Sequence, residues 1–285
     1  MKSIKFIVAA LVIMAFTSCH KKETVEVDNE TQSVVDNAIA EQEFMAVIPA
    51  VNGVAIKTKG TGAEKNRPAA ECDSLRIISG DTLYSSPTHV HPTYSLSFAN
   101  ATCSPIPDAK IREGVVFVTL YGKIKNDNSR MKFIMQNYKA ANVDAGKKIT
   151  YSCDSIVIKT ISSDANERLF NVIVYKGKCV GPAGNWTTTY STNRFIRHNL
   201  NTKDVQIWGT SEGVNREGRK FNVNVPATSP LTKHENCQFI SSGILQLTPE
   251  GFKERTVDYA SGGADVCDDA ATFSVNGNTV TFTLK

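Results

Sequence analysis

Cys19 is the residue whose surroundings specify its chemistry most narrowly. It stands behind an uninterrupted apolar run, Phe6 to Phe16, that follows Lys2 and Lys5, and the small residues Thr17 and Ser18 precede it. A positive segment, an apolar stretch too brief to span a bilayer as a stable helix, and small residues at its end fit a cleaved export signal better than a membrane anchor. A cysteine at that place takes lipid on its sulfur and becomes the first residue of the processed chain. Residues 1–18 are therefore expected to be a signal peptide, Cys19 the lipidation site, and 19–30 a lipidated tether. Several acyl chains on one cysteine hold a protein stably where one chain does not. The competing reading is an ordinary secretory signal cut nearby, with Cys19 a spare thiol.

The other six cysteines, Cys72, Cys103, Cys153, Cys179, Cys237 and Cys267, agree with export. An even number in an oxidising compartment reads as disulfides. None lies in a Cys-x-x-Cys pair, and no histidine stands at zinc-finger spacing, so no metal site is expected. Strands that follow one another in a β-meander lie side by side, which favours neighbours along the chain: Cys72–Cys103, Cys153–Cys179 and Cys237–Cys267. Free thiols are the alternative.

The remaining chemical candidates are thin. His89 and His91 would share a strand face, but Pro87 and Pro92 flank them and no second ligand pair is evident. Gly209, Gly213 and Gly218 could cradle a phosphate only if a helix N-terminus came next, and the next residues are the alternating run Arg219–Val225, which reads as a hairpin strand. Asp268-Asp269 lacks the alternating oxygen ligands of a calcium loop. No Gly-x-Ser-x-Gly elbow and no His-Glu-x-x-His motif occurs, so no catalytic residue and no cofactor is expected. The surface candidate is aromatic. Strand alternation puts Trp186, Tyr190 and Arg194 on one face, a site for a glycan or protein partner if that face is exposed and core packing if it is buried.

Composition limits the partners. The formal net charge of +4 falls to +2 once Lys2 and Lys5 leave with the signal, and no stretch interleaves Lys and Arg with aromatics. No nucleic acid is expected. The densest basic run, His20-Lys21-Lys22, would lie beside the lipid, where it meets anionic head groups or solvent.

The elements that must carry these residues are mostly strands. Thr31–Ile48 is the one helix candidate (31–48), with Val34, Val35, Ala38, Ile39, Met45 and Ile48 at three-and-four spacing and Pro49 as its stop. Residues 49–70 read as a linker. From there on, runs rich in Thr, Val, Ile, Tyr and Phe recur between turn residues, from Leu75–Ile78 to Thr279–Leu284. The expected fold is mainly β, an antiparallel β-sandwich, one elongated or two in tandem, with a short N-terminal helix. Two β-domains, 71–180 and 185–285, would meet at Gly181–Gly184; one continuous β-domain over 71–285 is the alternative. Asn276-Gly277 is the best hairpin signal, because that pair tolerates positive φ. A weak repeat relates Tyr94–Phe98, Cys103 and Val115–Leu120 to Thr256–Tyr259, Cys267 and Thr279–Leu284.

From about Tyr94 to the end the chain resembles a group of uncharacterised β-rich lipoproteins of Bacteroidota. The likeness is carried by Gly209-Thr-Ser-Glu-Gly213-Val-Asn215-Arg-Glu-Gly218-Arg-Lys-Phe221, by Cys237 ahead of Ser242-Gly243 and Thr248-Pro249, and by Arg255-Thr-Val-Asp258-Tyr259 leading to Cys267-Asp268. Ala260-Ser261 departs from the glycine expected after Tyr259. The resemblance implies secretion and a β-rich fold and transfers no activity. In such bacteria Phe16 suits a loose lipoprotein signal, and an acidic tract after the cysteine accompanies surface export. Only Glu23 comes after the basic trio here, so the periplasmic or surface face of the outer membrane stays open. Asp73-Ser74-Leu75, Asp81-Thr82-Leu83 and Asp154-Ser155-Ile156 match their O-glycosylation pattern. The expected function is a membrane-anchored binding or structural module of the cell envelope; a fimbrial-type subunit and an envelope or polysaccharide hydrolase are the alternatives.

Overall fold

A computed structural model describes residues 28, 30–58, 73–80, 90–98, 110–142, 147–235, 237, 239–260, 262–263, 266–275 and 277–283. The fold is mainly β, with antiparallel strands and, among the described residues, one α-helix near the N-terminus. The helix, α1, spans Gln32–Thr58. The strands are β1 (Asp73–Ser79), β2 (Thr93–Phe98), β3 (Lys110–Tyr121), β4 (Arg130–Asn142), β5 (Ile149–Ser152), β6 (Ser155–Ser163), β7 (Glu167–Val180) and β8 (Thr187–Asn199). They continue as β9 (Val205–Val214), β10 (Lys220–Val225), β11 (Leu231–Lys233), β12 (Ile244–Pro249), β13 (Arg255–Asp258), β14 (Ala270–Val275) and β15 (Asn278–Thr283).

All fifteen belong to one sheet, in nearly sequential order from β1 to β15. The order departs from sequence where one strand position is filled in two pieces. Both β5 and β6 lie between β4 and β7, broken at Cys153 and Asp154, and both β10 and β11 pair with β9. Period-two patterning builds the strands. In β10, Phe221, Val223 and Val225 are buried while Lys220, Asn222 and Asn224 are exposed, the mark of a strand with one face on the core.

The buried face carries two apolar clusters. One gathers residues of β2 to β8, among them Leu96, Phe133, Ile156 and Tyr190; the other gathers residues of β10 to β14, among them Phe221, Leu247 and Phe273. The helix joins them, because Ala40 and Phe44 pack in the first and Val34 in the second. Its contacts reach from β3 to β13, eight strand steps apart in the sheet, about 38 Å if the sheet were flat. The residues from 28 to 43 that make those contacts span at most about 31 Å, about 17 Å at helical rise over 32–43 and no more than about 14 Å for the four residues before it. The sheet therefore curls round the helix.

Several expectations change at this level. The helix runs through Pro49 to Thr58, where the sequence predicted a stop. One proline removes a single hydrogen bond and bends a helix without having to end it. Residues 49–58, expected as linker, are helical, and 59–70 lie outside the described residues. The buried face of α1 takes in only part of the predicted apolar stripe, with Val34 in the core and Ile39 and Met45 packed against it. Ser33, Val34, Asp36, Asn37, Ala40, Glu43 and Phe44 are buried, whereas Val35, Ala38, Ile39 and Met45 are half-buried.

Gly181–Gly184, expected as a seam, forms a turn with a 3-10 segment at Pro182–Gly184, joining β7 and β8, which pair with each other beyond it. The hairpin at Asn276-Gly277 forms between β14 and β15, with Gly277 at φ +80°. The repeat is not kept in the topology. β2 pairs directly with β3, whereas β14 separates β13 from β15.

Candidate functional site

Trp186, Tyr190 and Arg194 share a face, as alternation requires, but that face is the buried one. Tyr190 and Arg194 are fully enclosed and Trp186 is half-buried. Tyr190 stacks on Phe44 of the helix with centroids 5.7 Å apart. Trp186, one residue before β8, lies under the Arg216 guanidinium at 4.2 Å. Of the two readings open to this trio, the structure has core packing: the face is a docking surface for α1 and not an exposed binding face.

Arg194 belongs to a series of contacts that sequence reasoning missed. Its Nε donates to Glu41 Oε1 at 2.9 Å and its Nη2 to Glu41 Oε2 at 3.1 Å. On β3, Arg112 Nε donates to Glu43 Oε1 at 2.9 Å, the Tyr138 hydroxyl donates to the same oxygen at 2.6 Å, and Lys110 stands 3.4 Å from Oε2. Arg216, in the β9–β10 turn, binds Asp36 through its backbone N–H at 2.7 Å and its Nε at 2.8 Å. Arg255 on β13 reaches Asp28 at 2.9 Å and the backbone carbonyl of Glu30 at 2.9 Å. Arg112, Arg194 and Arg255 are all fully buried, and charges so placed need partners of this geometry. Burial, reinforced by the Glu43 carboxylate, holds the Tyr138 phenol well above its usual range.

The motifs behind the family resemblance find their physical role here. Asn215 is buried in the β9–β10 turn, where its amide donates to Glu30 Oε1 at 3.2 Å and Ser33 Oγ at 3.1 Å. Glu30 Oε1 in turn accepts the Ser33 backbone N–H at 2.8 Å, capping the first turn of α1. Gly209 lies opposite Arg194 at φ +115°, and a Cβ there would stand 2.4 Å from the Asn193 carbonyl oxygen. The glycines thus serve the hairpin and its close packing; none precedes a helix.

Among the other candidates, Cys19, Cys72, Cys103, His89, Thr82 and Asp81 lie outside the described residues. Cys237 and Cys267 form a disulfide. The expected Cys153–Cys179 bridge is absent and both are free thiols. Tyr151, not Cys153, is the direct partner of Cys179, so Cys153 is a diagonal neighbour, about 7–8 Å away by Cα, beyond disulfide reach. Burial pushes both thiols up to about 12. His91 packs on Tyr121 at 4.6 Å. Asp268 Oδ1 accepts the Ala270 N–H at 3.0 Å, a turn contact, and no group of metal-binding side chains occurs among the described residues. Ser155, an expected glycosylation acceptor, is buried.

The accessible chemistry lies on the opposite, outer face of the sheet. The strand register sets one row of residues side by side. Asn193 faces Thr210, Thr210 faces Asn224, and Asn224 faces Gln246. Gln246 faces Thr256, Thr256 faces Ser274, and Ser274 faces Thr279. The row spans six strand steps, about 29 Å, with no formal charge, and its members are exposed or half-buried. A parallel row sets Ser191, Glu212, Asn222 and Thr248 beside it. The part of both rows from β8 to β12 lines an open groove of about 720 Å³ that also includes Ile173, Tyr175, Lys176 and Glu254. Two residues along from the Asn193–Thr210 pair, Phe195 and Trp208 stack at 5.8 Å.

The Asn224 amide donates to Gln246 at 2.9 Å and the Asn171 amide to Asn193 at 2.6 Å. These bonds orient the amides and leave the Gln246 and Asn193 NH2 groups and the Asn224 carbonyl for a ligand. Such a surface can exchange neutral hydrogen bonds with hydroxyl groups, beside the half-buried Phe195–Trp208 pair, whose Trp208 ring also carries the Arg197 guanidinium at 5.3 Å. Glu212 and Glu254 stand three strand positions apart, about 14 Å by backbone. No protein-family model, curated protein or solved structure matches the chain.

Proposed function

We propose that the protein is an exported, lipid-anchored binding module of the bacterial cell envelope that holds a neutral, hydroxyl-rich glycan along the outer face of its sheet. The observation that carries this reading is the uncharged row from Asn193 to Thr279 beside the Phe195–Trp208 pair. Amides and hydroxyls supply donors and acceptors at strand spacing, and the aromatic pair supplies a surface for a sugar ring. The export signal and Cys19 support the anchor and an outer-membrane address.

The test is calorimetric titration with neutral dextran, mannan, laminarin and chitin oligomers. At least one should bind, and Asn193→Ala/Asn224→Ala should weaken it about tenfold or more, from two lost hydrogen bonds at about 1 kcal/mol each. Both side chains are exposed, so the circular dichroism spectrum should not change. Failure of every oligomer to bind, or equal binding by the variant, would remove the reading.

A further inference from the structure

On the same outer face, the strands beyond Ile173 exchange neutrality for positive charge. Arg130 on β4 lies directly opposite Lys159 on β6, both exposed, and Lys132 stands two residues along β4 on the same face. Like charges opposite one another in an antiparallel pair sit at Cβ separations of about 5 Å and repel. No ion pair relieves Arg130, Lys132 or Lys159 among the described residues. The arrangement is also fixed in place. Arg130 lies over the ring of its cross-strand partner Tyr121 at 4.4 Å, and His91 packs on that ring. A guanidinium laid on an aromatic face keeps its N–H edge free for a planar or tetrahedral oxyanion.

The position of this cluster connects it to the groove. Lys132 faces Val157, Val157 faces Ile173, and Ile173 faces Asn193. Lys132 is therefore on the line of the neutral row, three strand steps or about 14 Å beyond its first amide. A chain lying along the row runs into the cations at its end. We propose that Arg130, Lys132 and Lys159 seat an anionic substituent, a phosphate or carboxylate, borne by the same glycan. This deepens the glycan reading and rests on it for the neutral part of the ligand. Three cations, Lys132 on the line of the row and the Arg130–Lys159 pair two residues to its side, match a single substituent, whereas electrostatic attachment to a bilayer draws on clusters of about four to eight.

The probes are mannan and phosphomannan, titrated against the full chain and against Arg130→Gln/Lys159→Gln. These two residues are exposed, so the variant should fold. The wild type should bind phosphomannan about five- to tenfold more tightly than mannan at low salt, the sum of exposed ion contacts. That preference should vanish in the variant and shrink at about 0.5 M salt, with mannan affinity unchanged. A preference that survives in the variant overturns the proposal, as does absence of any preference or of binding to either probe. It is likewise overturned if anionic phosphatidylglycerol vesicles, and not phosphomannan, lose binding in the variant. If phosphomannan alone binds and depends on Arg130 and Lys159, the cationic seat stands and the neutral-row reading fails. If Asn193→Ala/Asn224→Ala weakens both probes alike, both stand.

Discussion

Replacing Glu43 by alanine strips three buried partners at once. Arg112 and Glu43 are each fully buried, Tyr138 donates to the same carboxylate oxygen that Arg112 holds, and Lys110 lies 3.4 Å from the other oxygen. Removing one member of a buried ion pair leaves an uncompensated charge and costs about 3–5 kcal/mol. Against a total stability of about 5–15 kcal/mol for an ordinary domain, that is about a fifth or more. In urea, with an m value of about 3 kcal/mol/M, the midpoint should drop by about 1 to 1.7 M, read by far-ultraviolet circular dichroism. The pairing itself is isolated by Glu43→Leu/Arg112→Leu, which removes both charges. Apolar replacement of a buried pair is often neutral or stabilising, so the double variant should recover most of the loss. A midpoint shift below about 0.3 M for Glu43→Ala, or a double variant worse than the single one, would refute the reasoning that helix and sheet are joined through this pair.

Other consequences are as direct. Cys153 and Cys179, with thiols pushed up to about 12 by burial, should resist a thiol reagent at about pH 8 in the folded protein and react on unfolding. Because their folded values lie above the unfolded value of about 9, the stability they contribute is fully present below about pH 9 and lost as pH rises towards about 12, which urea midpoints between about pH 8 and 11 will show. Cys237→Ala/Cys267→Ala opens a loop with a sequence separation of 30 and should cost about 3–4 kcal/mol by the loop-closure relation, seen as a lower melting temperature. Gly209→Ala should destabilise by at least about 2 kcal/mol, since its φ of +115° and the Asn193 carbonyl oxygen, 2.4 Å from where a methyl group would stand, both oppose it; Gly218→Ala, with open space around it, should cost less.

Strand positions were legible because burial follows a local rule. Alternation in Lys220–Val225 gives β10 and its faces, and Asn276-Gly277 gives the terminal hairpin, from residues adjacent in the chain. The helix was legible as a helix, but its buried face was not. Asp36, Glu41 and Glu43 look like solvated positions until Arg216, Arg194 and Arg112 are brought against them, at separations in the chain of 180, 153 and 69 residues. Alternation likewise placed Arg194 with Trp186 and Tyr190 without saying which side of the sheet they occupy, because inside and outside are set by what covers the face. The candidate site depends still more on register. Asn193, Thr210, Asn224, Gln246, Thr256, Ser274 and Thr279 are ordinary strand residues one at a time, and they become a row only when seven strands align.

The most direct test of the outer face as a glycan site is hydrogen exchange of the protein with and without the neutral oligosaccharide that binds most tightly from the dextran, mannan, laminarin and chitin series. Slower exchange should be confined to the strands of the row, β8, β9, β10, β12, β13, β14 and β15, with the Phe195–Trp208 segment included and α1 unaffected. Protection centred on α1 or on β1 to β3, or no protection with any of the oligosaccharides, would contradict it.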